Sequence, residues 1–193
     1  MKLSILPKGP DPCPKGMRSV SDRVCAVVRR IQQTRIFFAK TPKIDYNMPM
    51  IYRSKSPKET QNIASDLVKK HLNKFKPKGA AVIALEGELG AGKTVFAKGL
   101  AGALKARGKV KSPTFILMKK YKLPAGKHLY HLDCYRLKNE KDLIGLGIKE
   151  IINDPQNIVI MEWSERVKKI LPKRHIKVHI DHISEKERKI SIQ

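Results

Sequence analysis

The sequence predicts an α/β fold: a three-layer sandwich with a central, mostly parallel sheet, antiparallel hairpins, and helices on both faces. Three observations predict it. Residues 80–85 are a short apolar run that enters a glycine-bearing segment, and Phe96, Leu100, Ala103 and Leu104 then recur at helical spacing, so strand, loop and helix follow one another. Residues 157–161, Asn-Ile-Val-Ile-Met, are apolar without alternation, as expected of a central parallel strand covered on both faces. Residues 115–121 and 128–133, and later 176–180 and 189–192, are strand-like pairs separated by turn chemistry, which predicts two antiparallel hairpins.

Residues 1–50 differ from the rest. Prolines at 7, 10, 12 and 14 oppose early regular structure, and Arg18, Arg23, Arg29, Arg30 and Arg35 follow with few acids. The segment reads as a basic, disordered N-terminal extension, with enough apolar positions in residues 20–38 for a short basic amphipathic helix. A transit peptide is an alternative reading. So is an upstream extension ahead of the start that the working protein uses, near Met48 or Met50.

The folded domain is residues 51–193. Ser56-Pro57-Lys58-Glu59 predicts a helix start, with serine at the N-cap, proline at N1 and a glutamate at N3 that closes a capping box. Ile63, Leu67, Val68 and Leu72 supply the apolar face that lies on the sheet, and Pro77 and Gly79 end the element. The helix after the glycine segment is expected to end at Gly108. Residues 138–152 read as one or two short helices broken at Gly145 and Gly147. The last two strands alternate with period two, so they predict an edge hairpin with one wet face.

Gly87, Glu88, Leu89, Gly90, Ala91, Gly92, Lys93 and Thr94 satisfy G-x-x-x-x-G-K-[ST], the phosphate loop of P-loop NTPases. Each fixed position has a mechanical reason. Glycine takes positive φ and has no Cβ, so the backbone wraps closely around a phosphate and points successive N–H groups inward. Lys93 would reach the β/γ-phosphates, the Thr94 hydroxyl would ligate Mg²⁺, and the helix N-terminus favours the same anion.

Such a loop needs carboxylates. Asp133 and Glu162 stand where apolar strands end, and an acid leaving a buried strand needs a metal, a water network or a cation beside it. An ion pair of Asp133 with Arg136 is the structural alternative. Ser112 and Thr114, around Pro113, have the reach of a mobile loop facing the γ-phosphate. Trp163 either stacks on the nucleotide or packs in the core. His175, His179 and His182 do not make a metal site, because neither an acid nor a cysteine completes one in the sequence pattern.

Lysine and arginine number 41 against 17 acids, a formal charge of +24. Such a balance attracts nucleic acid, acidic lipid or an acidic protein face through a field that salt screens. General lysine enrichment of the surface is the alternative, since Lys69, Lys70, Lys74, Lys119, Lys120, Lys168 and Lys169 are scattered along the chain. Cys13, Cys25 and Cys134 lack C-x-x-C spacing, so neither a disulfide framework nor a zinc site is supported and a reducing compartment fits. No apolar run approaches the roughly 18 residues of a membrane span, and no secretory pattern is present.

Five segments, GELGAGKT, VKSPTF, HLDCYRL, LGIKE and VIMEW, occur in an order and spacing that resembles the TsaE family, small P-loop ATPases of tRNA threonylcarbamoyladenosine (t6A) biosynthesis. The resemblance spans about residues 52–193 and makes 51–193 the P-loop ATPase domain. It implies that Lys93 and Thr94 bind phosphate and Mg²⁺, that Glu162 is associated with Mg²⁺, that Asp133 is linked to hydrolysis, and that Thr114 lies near the nucleotide. It also implies a cytoplasmic bacterial protein that turns ATP into ADP slowly alone and acts with TsaD and TsaB, its hydrolysis resetting that complex. Contact with tRNA is expected through the complex, and no membrane partner is expected. A small P-loop kinase, or a basic nucleic-acid-binding module with a structural nucleotide, are the rival readings.

Overall fold

The computed structural model describes residues 49–193 apart from 109, 111, 112, 114, 115, 138 and 139, and the backbone alone at Asn73. The expectations for residues 1–48, for Ser112 and for Thr114 therefore lie outside the described residues.

Among the described residues seven strands form one sheet: β1 (Met50–Ser54), β2 (Ala81–Glu86), β3 (Met118–Lys122), β4 (His128–Asp133), β5 (Asn157–Glu162), β6 (Ile176–His182) and β7 (Arg188–Ile192). Their order across the sheet is β1-β7-β6-β2-β5-β4-β3. The middle of the sheet, β6-β2-β5-β4, is parallel, and the flanking pairs β1/β7, β7/β6 and β4/β3 are antiparallel. Four α-helices among the described residues accompany it: α1 (Pro57–Lys70), α2 (Lys93–Ala103), α3 (Lys141–Ile144) and α4 (Ile148–Asn153).

The lack of alternation in β2 and β5 has the expected cause. Ile83, Leu85, Ile158 and Ile160 face a core shared with Leu67 of α1 and Phe96 and Leu100 of α2. Val82, Val159 and Met161 face the opposite core, shared with Leu143, Ile148 and Ile152 of α3 and α4. Both faces of the central strands are thus dry, and the three-layer α/β architecture is as the sequence predicts.

α1 begins as its sequence suggests, with one difference. The Glu59 amide donates to Ser56 Oγ at 3.2 Å, but Glu59 Oε2 accepts from the Lys55 amide at 2.7 Å instead of from the N-cap residue. Buried Ser54 and Thr60 join their hydroxyls at 2.8 Å and tie β1 to the same helix.

Two expectations are corrected, and one strand is added. β1 was not foreseen, because five residues with a mixed pattern carry little periodic signal, and pairing with β7 is what makes them a strand. The β6/β7 hairpin is consequently not the edge, since β1 covers it and β6 also pairs with β2. Finally, α2 ends at Ala103 and not at Gly108, because Lys105 takes φ 56° and turns the chain before the glycine is reached.

Candidate functional site

The loop after β2 starts at Gly87, with φ 132°, where a side chain would run into the Ile180 carbonyl of β6. Only glycine fits there. Gly92 caps α2 with φ 106°, so Lys93 and Thr94 are the first two helical residues and their N–H groups point out of the helix end.

Lys93 is 5% exposed, and its Nζ donates to the carbonyls of Gly87 at 2.7 Å and Glu88 at 2.8 Å. The ammonium also sits 3.6 Å from the centroid of the Trp163 ring. Burial draws its pKa below the usual lysine range, while Glu165, Glu162 and Asp133 pull the other way. The amine is therefore held ready for an anion and partly stripped of water.

Thr94 Oγ1 donates to Glu162 Oε2 at 2.7 Å. The second oxygen of that carboxylate, Oε1, lies 2.7 Å from His131 Nε2, deep in the sheet. Because the carboxylate only accepts, Nε2 carries the proton in this pair. His131 Nδ1 is buried and has no hydrogen-bond partner among the described residues. Asp133 and Glu162 end neighbouring strands in direct register, and Asp133 Oδ1 accepts from the Tyr135 amide at 3.0 Å.

Trp163 follows Glu162 with φ 59°, a left-handed conformation rarely taken by a bulky residue. The turn aims the carboxylate and the indole at the loop, and Tyr135 packs on the indole with ring centroids 4.8 Å apart. Arg188 of β7 donates from Nε to the Ala91 carbonyl at 3.1 Å and fastens the outer side of the loop.

A cavity of about 370 Å³ is lined by Leu89, Gly90, Lys93, Thr94, Asp133 and Glu162, with Trp163 at its wall. A second cavity of about 430 Å³ shares Gly90, Gly92 and Val95 and reaches Ser56, Thr60 and Lys186. The sequence-derived residues Gly87 to Thr94, Asp133, Glu162 and Trp163 are thus brought to one place, and Ser112 and Thr114 lie outside the described residues.

His131, Tyr135 and Arg188 were not singled out in the sequence. His131 left a signal: it stands two residues before Asp133 in an apolar strand, and a buried histidine needs a partner. Two acids stand beside His179, with Asp181 at 2.9 Å and Glu86 at 3.7 Å, which the sequence pattern had not suggested. Even so, the described residues contain no group of three His, Cys, Asp or Glu able to hold a metal.

The parallel sheet, the glycine loop at the end of β2 and the helix that begins at Lys93 define an α/β protein of the P-loop class. The profile of threonylcarbamoyl adenosine biosynthesis protein TsaE matches residues 54–190, and the chain belongs to the TsaE family. It is 39% identical over 122 residues to the tRNA threonylcarbamoyladenosine biosynthesis protein TsaE of Haemophilus influenzae, covering 63% of this chain and 73% of that one. To the Bacillus subtilis protein of the same name it is 36% identical over 143 residues, covering 72% and 82%. The crystal structure of Bacillus subtilis YdiB superposes with a TM-score of 0.58 at 30% identity, over 75% of this chain and 84% of that one.

Proposed function

We propose that this chain is the ATP-binding and ATP-hydrolysing subunit of the machinery that makes t6A in tRNA, acting with TsaD and TsaB in the cytoplasm and resetting their complex between turnovers. One observation carries the catalytic part: Lys93, Thr94, Asp133 and Glu162, from two strand ends and one helix start, converge on a single cavity beside the glycine loop. The names of the relatives carry the pathway. None of the described helices is long and apolar enough to cross a membrane.

The phosphates occupy the cavity at Lys93, where the ammonium exchanges the Gly87 and Glu88 carbonyls for β/γ-phosphate oxygens. The nucleoside extends past Val95 into the second cavity, between the start of α1 and the β6/β7 turn. Thr94 and Glu162 are hard oxygen donors already 2.7 Å apart, a pair that suits Mg²⁺ with its remaining positions filled by water and phosphate. When bound, that ion neutralises charge on the β- and γ-phosphates.

Glu162 is committed on both oxygens, which makes it a fixed anchor. Asp133, one strand away and in register with it, orients the attacking water and accepts its proton as the bond from γ-phosphorus to the bridging oxygen breaks. Trp163 holds the Lys93 ammonium over its ring and keeps bulk water from it.

The deciding experiment measures phosphate release from Mg²⁺-ATP by the chain, and t6A formation on tRNA after adding TsaD and TsaB. The parent chain supports both and Lys93→Ala neither. A Lys93→Ala chain that matched the parent in both assays would refute the proposal.

A further inference from the structure

Cations scattered along the sequence gather at one end of the fold. The parallel strands begin opposite the phosphate loop, about 20 Å away for strands of this length. There Lys69, Lys76, Lys105 and Lys127, all exposed, border a depression of about 520 Å³ floored by Leu72, Leu104 and Leu123. A second depression shares Phe75 with the first and is bordered by Lys173 and Arg174. Among the described residues no Asp or Glu lines either one.

The carboxylates nearest in the chain are already engaged: Asp66 pairs with Lys70 at 2.7 Å, and Asp154 accepts the Gln156 amide at 2.8 Å. At the loop end carboxylates are present in number, with Glu86, Glu88, Asp133, Glu162, Glu165 and Asp181 lining adjoining cavities beside Lys93, Lys55, Lys186 and Arg188. Helix polarity accounts for Lys69, which stands in the last turn of α1. It does not account for Lys76, Lys127, Lys173 and Arg174, which stand outside the α-helices.

We propose that this basic end is a binding surface for structured RNA, its lysines taking the phosphodiester backbone and its Phe75–Arg174 pair taking an unpaired base. The Arg174 guanidinium lies 5.1 Å from the Phe75 ring centroid and donates to the Lys76 carbonyl at 3.3 Å, so a planar cation is fixed among the lysines. Aromatic rings and guanidinium planes are what unpaired bases of RNA pack on. Six cations over two adjoining depressions fit a repeating chain of phosphates better than a single anion. RNA, and not an acidic protein, is the occupant because the chain belongs to a tRNA-modifying pathway, a step that rests on the function proposed above. The surface lies at the far end from the nucleotide, so both ligands are held without competition.

The test is fluorescence anisotropy of an unmodified tRNA transcript with the full chain, without nucleotide, from about 50 to 200 mM KCl. Replacing Lys69, Lys76, Lys105 and Lys127 by Gln lowers affinity at least about tenfold and flattens the slope of log K against log salt by about three. A chain of equal charge carrying Gln at Lys58, Lys98, Lys149 and Lys168 stays within about twofold of the parent. Unchanged melting temperatures show that both variants are folded.

Equal losses in the two variants, no loss in either, or binding of polyglutamate or phosphatidylserine vesicles as tight as tRNA would overturn the proposal. Lys93→Ala binds tRNA like the parent. Failure of the ATPase reading and failure of this one are therefore read separately.

Discussion

His131 Nε2 meets Glu162 Oε1 at 2.7 Å, with the two side chains 1% and 2% exposed. The same carboxylate takes the Thr94 hydroxyl on its other oxygen, so a buried imidazole fixes the group proposed to hold the metal. Replacing His131 by Ala leaves a buried carboxylate one partner short, at a cost of about 1–3 kcal/mol. For a chain of this size that lowers the melting temperature by about 2–4 °C per kcal/mol. Hydrolysis falls with it, through weakened Mg²⁺ dependence. His131→Gln, which keeps a donor, recovers part of both. Calorimetric melting and Mg²⁺ titration of phosphate release decide it, and an unaffected Mg²⁺ titration in His131→Ala would rule out the positioning role.

Asp133→Asn and Glu162→Gln separate the two carboxylates. Asp133→Asn is expected to keep Mg²⁺-enhanced ATP binding and lose hydrolysis by about 100-fold or more, as loss of a water-orienting base does. Glu162→Gln loses the enhancement of ATP binding by Mg²⁺. Isothermal titration of ATP with and without Mg²⁺, beside phosphate release, distinguishes them. The opposite pattern would exchange the two roles.

Removing the Lys93 ammonium takes away a charge that two loop carbonyls and the Trp163 ring now hold in place. Hydrolysis by Lys93→Ala is expected to drop by about 100- to 1,000-fold, the range for losing one preorganised donor to developing charge. Fluorescence of Trp163, the sole tryptophan, gives a direct readout. ATP changes it in the parent chain as a phosphate joins the ammonium beside the ring, and the change is lost in Lys93→Ala.

Helices α1 and α2 touch at Gly99. A Cβ there would stand 2.7 Å from Gln61 Cα and 2.9 Å from Ala64 Cβ, closer than side chains pack. Gly99→Ala is expected to destabilise by about 1–3 kcal/mol through overpacking, although alanine is the better helix former. Chemical denaturation measures it. A stability gain would show that the helices separate freely.

Burial pushes the Cys134 thiol up to about 12 from an ordinary 9.0. In a chain with Cys13 and Cys25 replaced by Ser, a thiolate-directed reagent at about pH 8 finds about one thiolate in ten thousand. Labelling is therefore slow until denaturant is added. The unfolded thiol ionises first, so this group's contribution to stability is complete below pH 9.0 and is lost as pH rises towards 12. Rapid labelling of the native chain would show that the strand end opens.

The chain by itself determined the strand, glycine loop and helix around Lys93, the dry central strands, the first hairpin and the acids at strand ends. Each is written locally, in the spacing of glycines, the period of apolar residues and the turn chemistry between them. It also sufficed to place the family, through five short segments in order. Only the tertiary structure decided that β1 covers the β6/β7 hairpin, because five mixed residues have no signal apart from their partner strand. Folding alone brought His131 to Glu162, 31 residues apart, and Arg188 to Ala91, 97 apart. It also brought Lys69, Lys76, Lys105 and Lys127 from four separate segments to one depression. These are relationships between side chains on different strands and helices, set by sheet order and register, which no local pattern encodes.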